Sequence, residues 1–383
     1  MNKYPLLTGA LCTLLTALPL SCDPFDPEQM RQEEQRSQNT SGVSVETVAR
    51  LLSSLPLEAG QLAEVHAAAT ASSANGYDEE YRMLDLFTAP GAGVGDSASG
   101  TRASYARPLR DLLRDAASEA WLDSLAGSDV QIYWPFSDAW DGEQAPVLTY
   151  DPGDGSERNE GWCLRPDGTL QKLLVDEQMA LERPVWVINH NSDAAFPTLE
   201  MLRREDPDWG AGGDLVVGGG KAGSSDGLRT LVLRSFKAKR QYDSWFSGAS
   251  EFFVKVGAVE NFRASTEAEL RLYEPSITDF MLVVRRKQVG EELPFNAVLV
   301  SDWTSQLDNI ALMIVEDDGG TRTSWKCGAT LKYSSKSYGL EIEIPLNSRD
   351  DVVWRGALTR RYVERYSGSV GSFGDVDLVL ELL

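Results

Sequence analysis

The sequence predicts an α+β protein: a helical N-terminal part, a β-rich middle and a C-terminal antiparallel β-sandwich. Three observations lead there. Apolar residues recur at helical spacing over 42–127, and the period changes to two from Asp129. From 228 to 383, short apolar strands follow one another between Gly, Asp, Asn and Pro turns. The chain has 383 residues and is 42% apolar, enough for two domains that each bury a core.

The helical part begins with "SVETVARLLSSL", where Val45, Val48, Leu51, Leu52 and Leu55 share a face and Ser44 stands at the N-cap. "YDEEYRMLDLF" places Tyr77, Tyr81 and Leu84 at helical spacing, with Asp78 and Glu79 near the start. After the linker "GAGVGDSASG", the stretch 107–127 sets Leu109, Leu112, Leu113, Ala116, Ala120 and Leu125 on one stripe, from Pro108 to Gly127.

The middle then alternates. "DVQIYWPF" puts Val130, Ile132 and Trp134 on one face, and "APVLTYDP" is a second short strand. "GWCLRPDGTLQKLL" reads as a hairpin around Pro166-Asp167-Gly168, and "RPVWVINHN" as a buried strand. The glycine-rich stretch 206–227 is the predicted domain boundary, so the domains are expected at 42–227 and 228–383. Beyond it, "RTLVLRSF", "EFFVKVGA", "DFMLVVRR", "NAVLVSDW", "NIALMIVE", "GLEIEIPL" and "VDLVLELL" are the expected sandwich strands.

The N-terminus carries an address. One cation, Lys3, precedes an apolar run from Pro5 to Leu20. That run is shorter than the roughly 20 apolar residues that span a bilayer, so it reads as an export signal over 1–21. Ser21-Cys22 resembles the cleavage box of bacterial lipoproteins, with Pro19 where that box usually has Leu. The resemblance implies lipidation of Cys22 and a membrane anchor in the cell envelope. Residues 22–41 are polar and charged, as a flexible tether is. Of the four cysteines, Cys163 and Cys327 fall in the folded part, and outside the cytoplasm they are a candidate disulfide.

Charge excludes more than it assigns. The net charge of -22 repels phosphate backbones, so no nucleic-acid partner is expected. The two histidines, His66 and His190, form no zinc motif. "VVGGGKAGSSDG" has Leu215 where a phosphate loop needs glycine, and Ala222 where it needs Ser or Thr. For a hydrolase the candidate catalytic residues are Asp138 and Asp141, which flank Trp140, and His190.

"YDSWFSGASEFFVKV", 242–256, resembles the calcium- and phospholipid-binding sandwich domain first known in protein kinase C. Gly248, Ser250, Glu251, Phe253, Val254, Lys255 and Val256 fall in the matching places, and "IVEDD" puts Glu316 and Asp318 in the later acidic loop. The resemblance implies calcium as a cofactor, with Asp243, Glu251, Glu316 and Asp318 as its ligands; one ion joins two loops only if they lie within about 8 Å of each other. Glu251 stands where the family has Asp, and Asp243 lies two residues upstream of the matching place.

The order of "GYDEEYRMLDL", "VQIYWPFSDAWDGEQAPVLTYDP", "RPVWVINHN" and "SWFSGASEFFVKV" is similar to a family of uncharacterised bacterial secreted proteins and lipoproteins. That resemblance implies location and architecture, not activity. The expectation is an exported envelope protein with a binding or structural role toward an unidentified protein or glycan. The alternatives are a secreted hydrolase of envelope or external polymers, and a calcium-dependent adhesion or membrane-surface module.

Overall fold

A computed structural model of the protein describes residues 43–88, 108–191, 193–205 and 229–383. The predicted signal, the tether, Cys22 and both glycine-rich connectors lie outside the described residues. Residues 43–383 form one compact unit.

The N-terminal helices earn their place by amphipathic spacing. Helix α1 (Val45–Ser54) buries Val48, Ala49, Leu52 and Ser53, and α2 (Ala59–Ala74) buries Leu62, Val65 and Ala69. Gln61 Oε1 accepts the Glu58 N–H at 2.8 Å at the head of α2. Next come strand β1 (Glu80–Arg82) and α3 (Met83–Thr88). Here the structure departs from the predicted helix: Tyr81 pairs with Ile132, and Arg82 with Gln131, before Met83 opens the helix. The edge of β2 (Val130–Tyr133) would otherwise leave backbone groups open.

The single stripe expected over 109–125 is two helices, α4 (Leu109–Ala116) and α5 (Glu119–Ala126), broken at extended Ala117 and Ser118. On one continuous helix Leu113 and Leu122 would face opposite sides, because each residue turns it by about 100°. The break lets both reach the core, while Ala116 and Ala120 are exposed.

Strands β3 (Val147–Tyr150), β4 (Arg158–Leu164), β5 (Leu170–Asp176) and β6 (Val185–His190) complete a six-stranded sheet in the order β1-β2-β6-β3-β4-β5. Only the β3–β6 pair in it is parallel. The two-residue period sorts its faces. Ile132, Trp134, Leu148, Trp162, Trp186 and Ile188 pack under the helices. Tyr133, Val147, Val175, Val185 and Val187 pack on the other face, with Ala180 of α6 (Glu177–Glu182) and with Trp245 and Phe246 from the C-terminal part.

After α7 (Leu199–Glu205), two sheets stack as a sandwich around one shared core. One runs β10-β7-β16-β15, built from β7 (Arg229–Ala238), β10 (Leu293–Trp303), β15 (Ser369–Phe373) and β16 (Val376–Leu382). The other runs β13-β12-β11-β8-β9, from β8 (Ser250–Ala258), β9 (Ser276–Val284), β11 (Leu307–Glu316), β12 (Arg322–Tyr333) and β13 (Lys336–Asn347). Strand β14 (Asp351–Thr359) also pairs with β11, and α8 (Arg360–Tyr366) follows, capped by Thr359 Oγ1. Leu233, Phe236, Phe252, Val254, Leu312 and Leu378 meet in the core.

Cys163 and Cys327 are free thiols, contrary to the candidate disulfide. They sit in β4 and β12 of different sheets, paired there with Gln171 and Ile342. Among the described residues no helix is long and apolar enough to cross a membrane.

Candidate functional site

The loop between β7 and β8 is the seam of the molecule. Trp245 and Phe246 are fully buried against the N-terminal sheet, and Trp245 Nε1 donates to the Glu157 carbonyl at 3.0 Å. Asn189, near the end of β6, donates through Nδ2 to the carbonyls of Phe246 at 3.1 Å and Ser247 at 2.7 Å. Ser247 Oγ donates to Asp151 Oδ2 at 2.9 Å. Asp78 Oδ2 accepts the Ala249 N–H at 2.8 Å. Gly248 has φ +126°, and a Cβ there would stand 3.0 Å from Asp78 Oδ2, so glycine suits the position on both counts.

With the loop held this way, three acids converge. Asp243 comes from the loop, Glu251 from the head of β8 and Glu316 from the tail of β11; each offers an oxygen, and these all lie within 4.8 Å of one another. The strand register brings the two ends together. Glu316 stands opposite Phe252 on one side and Asp351 on the other, and the Asp317 N–H donates to the Glu251 carbonyl at 3.0 Å. Of the predicted set, then, Asp243, Glu251 and Glu316 are brought together. Asp318 is exposed and stands outside this group.

The electrostatics are unbalanced. Glu316 is 0% exposed, and neither carboxylate oxygen has a well-aligned hydrogen-bond donor; only Ser250 and the Asp243 carboxyl stand beside it, and Asp243 Oδ2 also lacks an aligned donor. Burial, then mutual repulsion, pushes the Glu251 carboxyl well above the usual range. Burial also raises Asp243 and Glu316, which share a contact. Arg286 donates to the carbonyl of Asp243 at 3.3 Å, but its guanidinium is held by Glu177 at 2.5 Å. Two unit charges this close repel by about 3 kcal/mol at an effective dielectric of 20. A bound cation or a retained proton relieves that repulsion. Oxygens bound to one calcium at about 2.4 Å can lie no more than about 4.8 Å apart, which is the spread available here.

A second group of buried acids was not legible in the sequence. Asp78, Glu80 and Asp193 are 4%, 6% and 3% exposed, beside Gln131 and Asn191. Burial raises all three carboxyls, Asp78 to about 7. "YDEEY" reads as a solvated helix start and "HNSD" as a turn; only the three consecutive acids at 78–80 signalled anything unusual.

The hydrolase candidates do not assemble. His190 Nδ1 lies 2.8 Å from Asp129 Oδ1, beside Val130 at one end of β2, whereas Asp138 follows its other end and binds Lys287 at 2.8 Å. Asp141 Oδ1 accepts the N–H groups of Glu143 and Gln144, each at 2.9 Å, as a turn residue does. His66 packs between Trp134 and Trp140, with Nε2 at 3.1 Å from the Ser137 carbonyl.

No family model matches the chain, and comparison with curated proteins and with solved structures returns no match.

Proposed function

We propose that this is an exported cell-envelope protein with a binding or structural role, anchored to a membrane through lipid on Cys22 and fastened internally by a calcium ion on Asp243, Glu251 and Glu316. One observation carries the ion: Glu316 is 0% exposed and without a well-aligned donor, beside two further carboxylates within 4.8 Å. A hard cation takes six to eight oxygens at about 2.3–2.6 Å, and these acids supply the charged part of such a set. The N-terminal export pattern and Ser21-Cys22 support the anchor.

The position of the acids favours an internal fastening over a membrane-surface module. They lie next to a loop buried against the N-terminal sheet, not at an exposed tip. The hydrolase reading has no comparable observation, since Asp138 and Asp141 are committed to an ion pair and a turn.

The test is thermal unfolding of the chelator-stripped protein with and without millimolar calcium. A ligand at a hundred times its Kd stabilises by about 2.7 kcal/mol, a rise in Tm of roughly 3–6 °C for a chain of this size. The rise should shrink in Glu251→Gln. An unchanged Tm in the unaltered protein would refute the ion.

A further inference from the structure

Asn191 follows β6 and directs its side-chain nitrogen into a cage of oxygens. Nδ2 lies 2.8 Å from Asp193 Oδ1, 3.0 Å from Gln131 Oε1, and 3.2 and 3.3 Å from the two oxygens of Glu80. A carboxamide nitrogen carries two hydrogens, so it cannot satisfy four acceptors, two of which belong to one carboxylate. Both acids of the cage are buried, Glu80 at 6% and Asp193 at 3% exposure, and Asp193 Oδ2 has no partner at all. Among the described residues neither forms an ion pair; Arg82, the cation on the same strand as Glu80, is taken by Asp85 at 2.7 Å.

One chelating carboxylate, one single carboxylate oxygen and one amide carbonyl around a point supply four of the six to eight oxygens that calcium takes, water completing the set. An amide N–H···O contact is normally 2.7–3.2 Å, and calcium draws the same oxygens in to about 2.3–2.6 Å. The nitrogen therefore stands where an ion would stand; to admit one, the carboxamide leaves the cage and gives up the hydrogen bond that Asn191 Oδ1 accepts from the Ala194 N–H at 2.8 Å.

We propose that Glu80, Asp193 and Gln131 form a second cation site, for calcium or a similar hard divalent ion, entered when the Asn191 carboxamide swings aside. Its residues come from β1, β2 and the segment after β6, all in the N-terminal part. The first site belongs to the sandwich and its entry loop. The second inference does not rest on the first ion.

Counting ions tests it. The purified protein is equilibrated with calcium, washed at moderate salt to strip surface ions, and weighed by native mass spectrometry. Two retained ions are expected, one after Asp193→Asn, one after Asp243→Asn, and none in the double variant. If Asp193→Asn retains as many ions as the unaltered protein, the second site is wrong and the first stands. If Asp243→Asn retains them and Asp193→Asn does not, the first is wrong and the second stands. A single ion in the unaltered protein that Asp243→Asn removes also overturns the second site, whether or not Asp193→Asn folds, and no retained ion overturns both.

Discussion

Glu251 at the head of β8 and Glu316 at the tail of β11 present carboxylate oxygens within 4.8 Å of each other, with Asp243 in the same group. Adjacent antiparallel strands explain the approach: the tail of one lies beside the head of the other, fixed by the Glu316–Phe252 register. Neither acid of the pair touches a lysine or arginine among the described residues. The molecule therefore carries an electrostatic cost that a cation relieves.

Glu316→Gln separates that cost from its relief. With no cation, and at a pH high enough to ionise the acid, the amide removes a buried like charge and gains a donor, so the variant should be about 1–2 kcal/mol more stable than the unaltered chain. With calcium the order should reverse, because the variant lacks a ligand. Denaturant unfolding in chelator and in calcium measures both. A variant less stable in chelator would show that Glu316 is stabilising as it stands, and the cost argument would fail.

The same acids set a pH dependence. Burial raises Asp78 to about 7 and lifts Glu80, Asp193, Asp243, Glu251 and Glu316. A carboxyl raised on folding binds its proton more tightly in the folded state. Its stabilising share is whole below the unfolded value near 4 and is lost as pH rises through the folded value. Chelated protein should therefore lose stability between pH 5 and 8, at up to about 1.4 kcal/mol per pH unit for each proton released. Calcium competes with those protons and should flatten the fall. Melting curves across this range, with chelator and with calcium, decide it; a chelated protein that gains stability toward pH 8 contradicts the sign.

Much of this site was legible in the sequence because it is local. "SGASEFFVKV" and "IVEDD" each place an acid at a strand end, and period-two alternation identifies those strands. The seam was not legible. Nothing near Trp245 and Phe246 announces that they leave the sandwich and complete the core beneath β3 and β6. Asp78 and Asp193 are ordinary turn residues until the chain brings Ala249 to the first, and Glu80 and Gln131 to the Asn191 amide beside the second. The broken helix over 109–126 failed for a related reason: its spacing fits one stripe, and only the packing of Leu113 and Leu122 selects two. Tertiary contact overrode local pattern in each case.

Trp245→Ala tests the seam. The indole is 0% exposed, lies 4.0 Å from the Phe246 ring centroid and donates to Glu157. Truncating a buried tryptophan costs about 3–5 kcal/mol. Because this side chain belongs to the sandwich by sequence and to the N-terminal core by packing, both parts should be affected. Hydrogen exchange should speed up in β3 and β6 as well as in β8. Faster exchange confined to β8 would mean the loop does not couple the two parts.

The anchor is tested at Cys22. Cys22→Ala removes the proposed lipid acceptor, and the protein should move from the detergent phase to the aqueous phase and out of the membrane fraction. Unchanged partitioning would end the anchored reading and leave the two proposed cation sites untouched, since none of their residues lies in 1–42.

His190 gives a prediction independent of any ion. Its hydrogen bond to Asp129 is the largest cause of its raised pKa, working against burial, and the same bond lowers Asp129. The histidine's share of stability is whole below about 6.5 and is lost as pH rises through the folded value. The aspartate's share holds above about 3.8 and is lost as pH falls through its folded value. The pair therefore helps most between those limits. The two side chains are 32% and 56% exposed, so the gain is below about 1 kcal/mol. The chain has only two histidines, so proton NMR resolves them easily. Asp129→Asn should move the titration midpoint of one resonance downward, to or below the ordinary histidine value, and leave the other in place. A midpoint that stays put would mean the 2.8 Å contact with Asp129 does not raise the histidine.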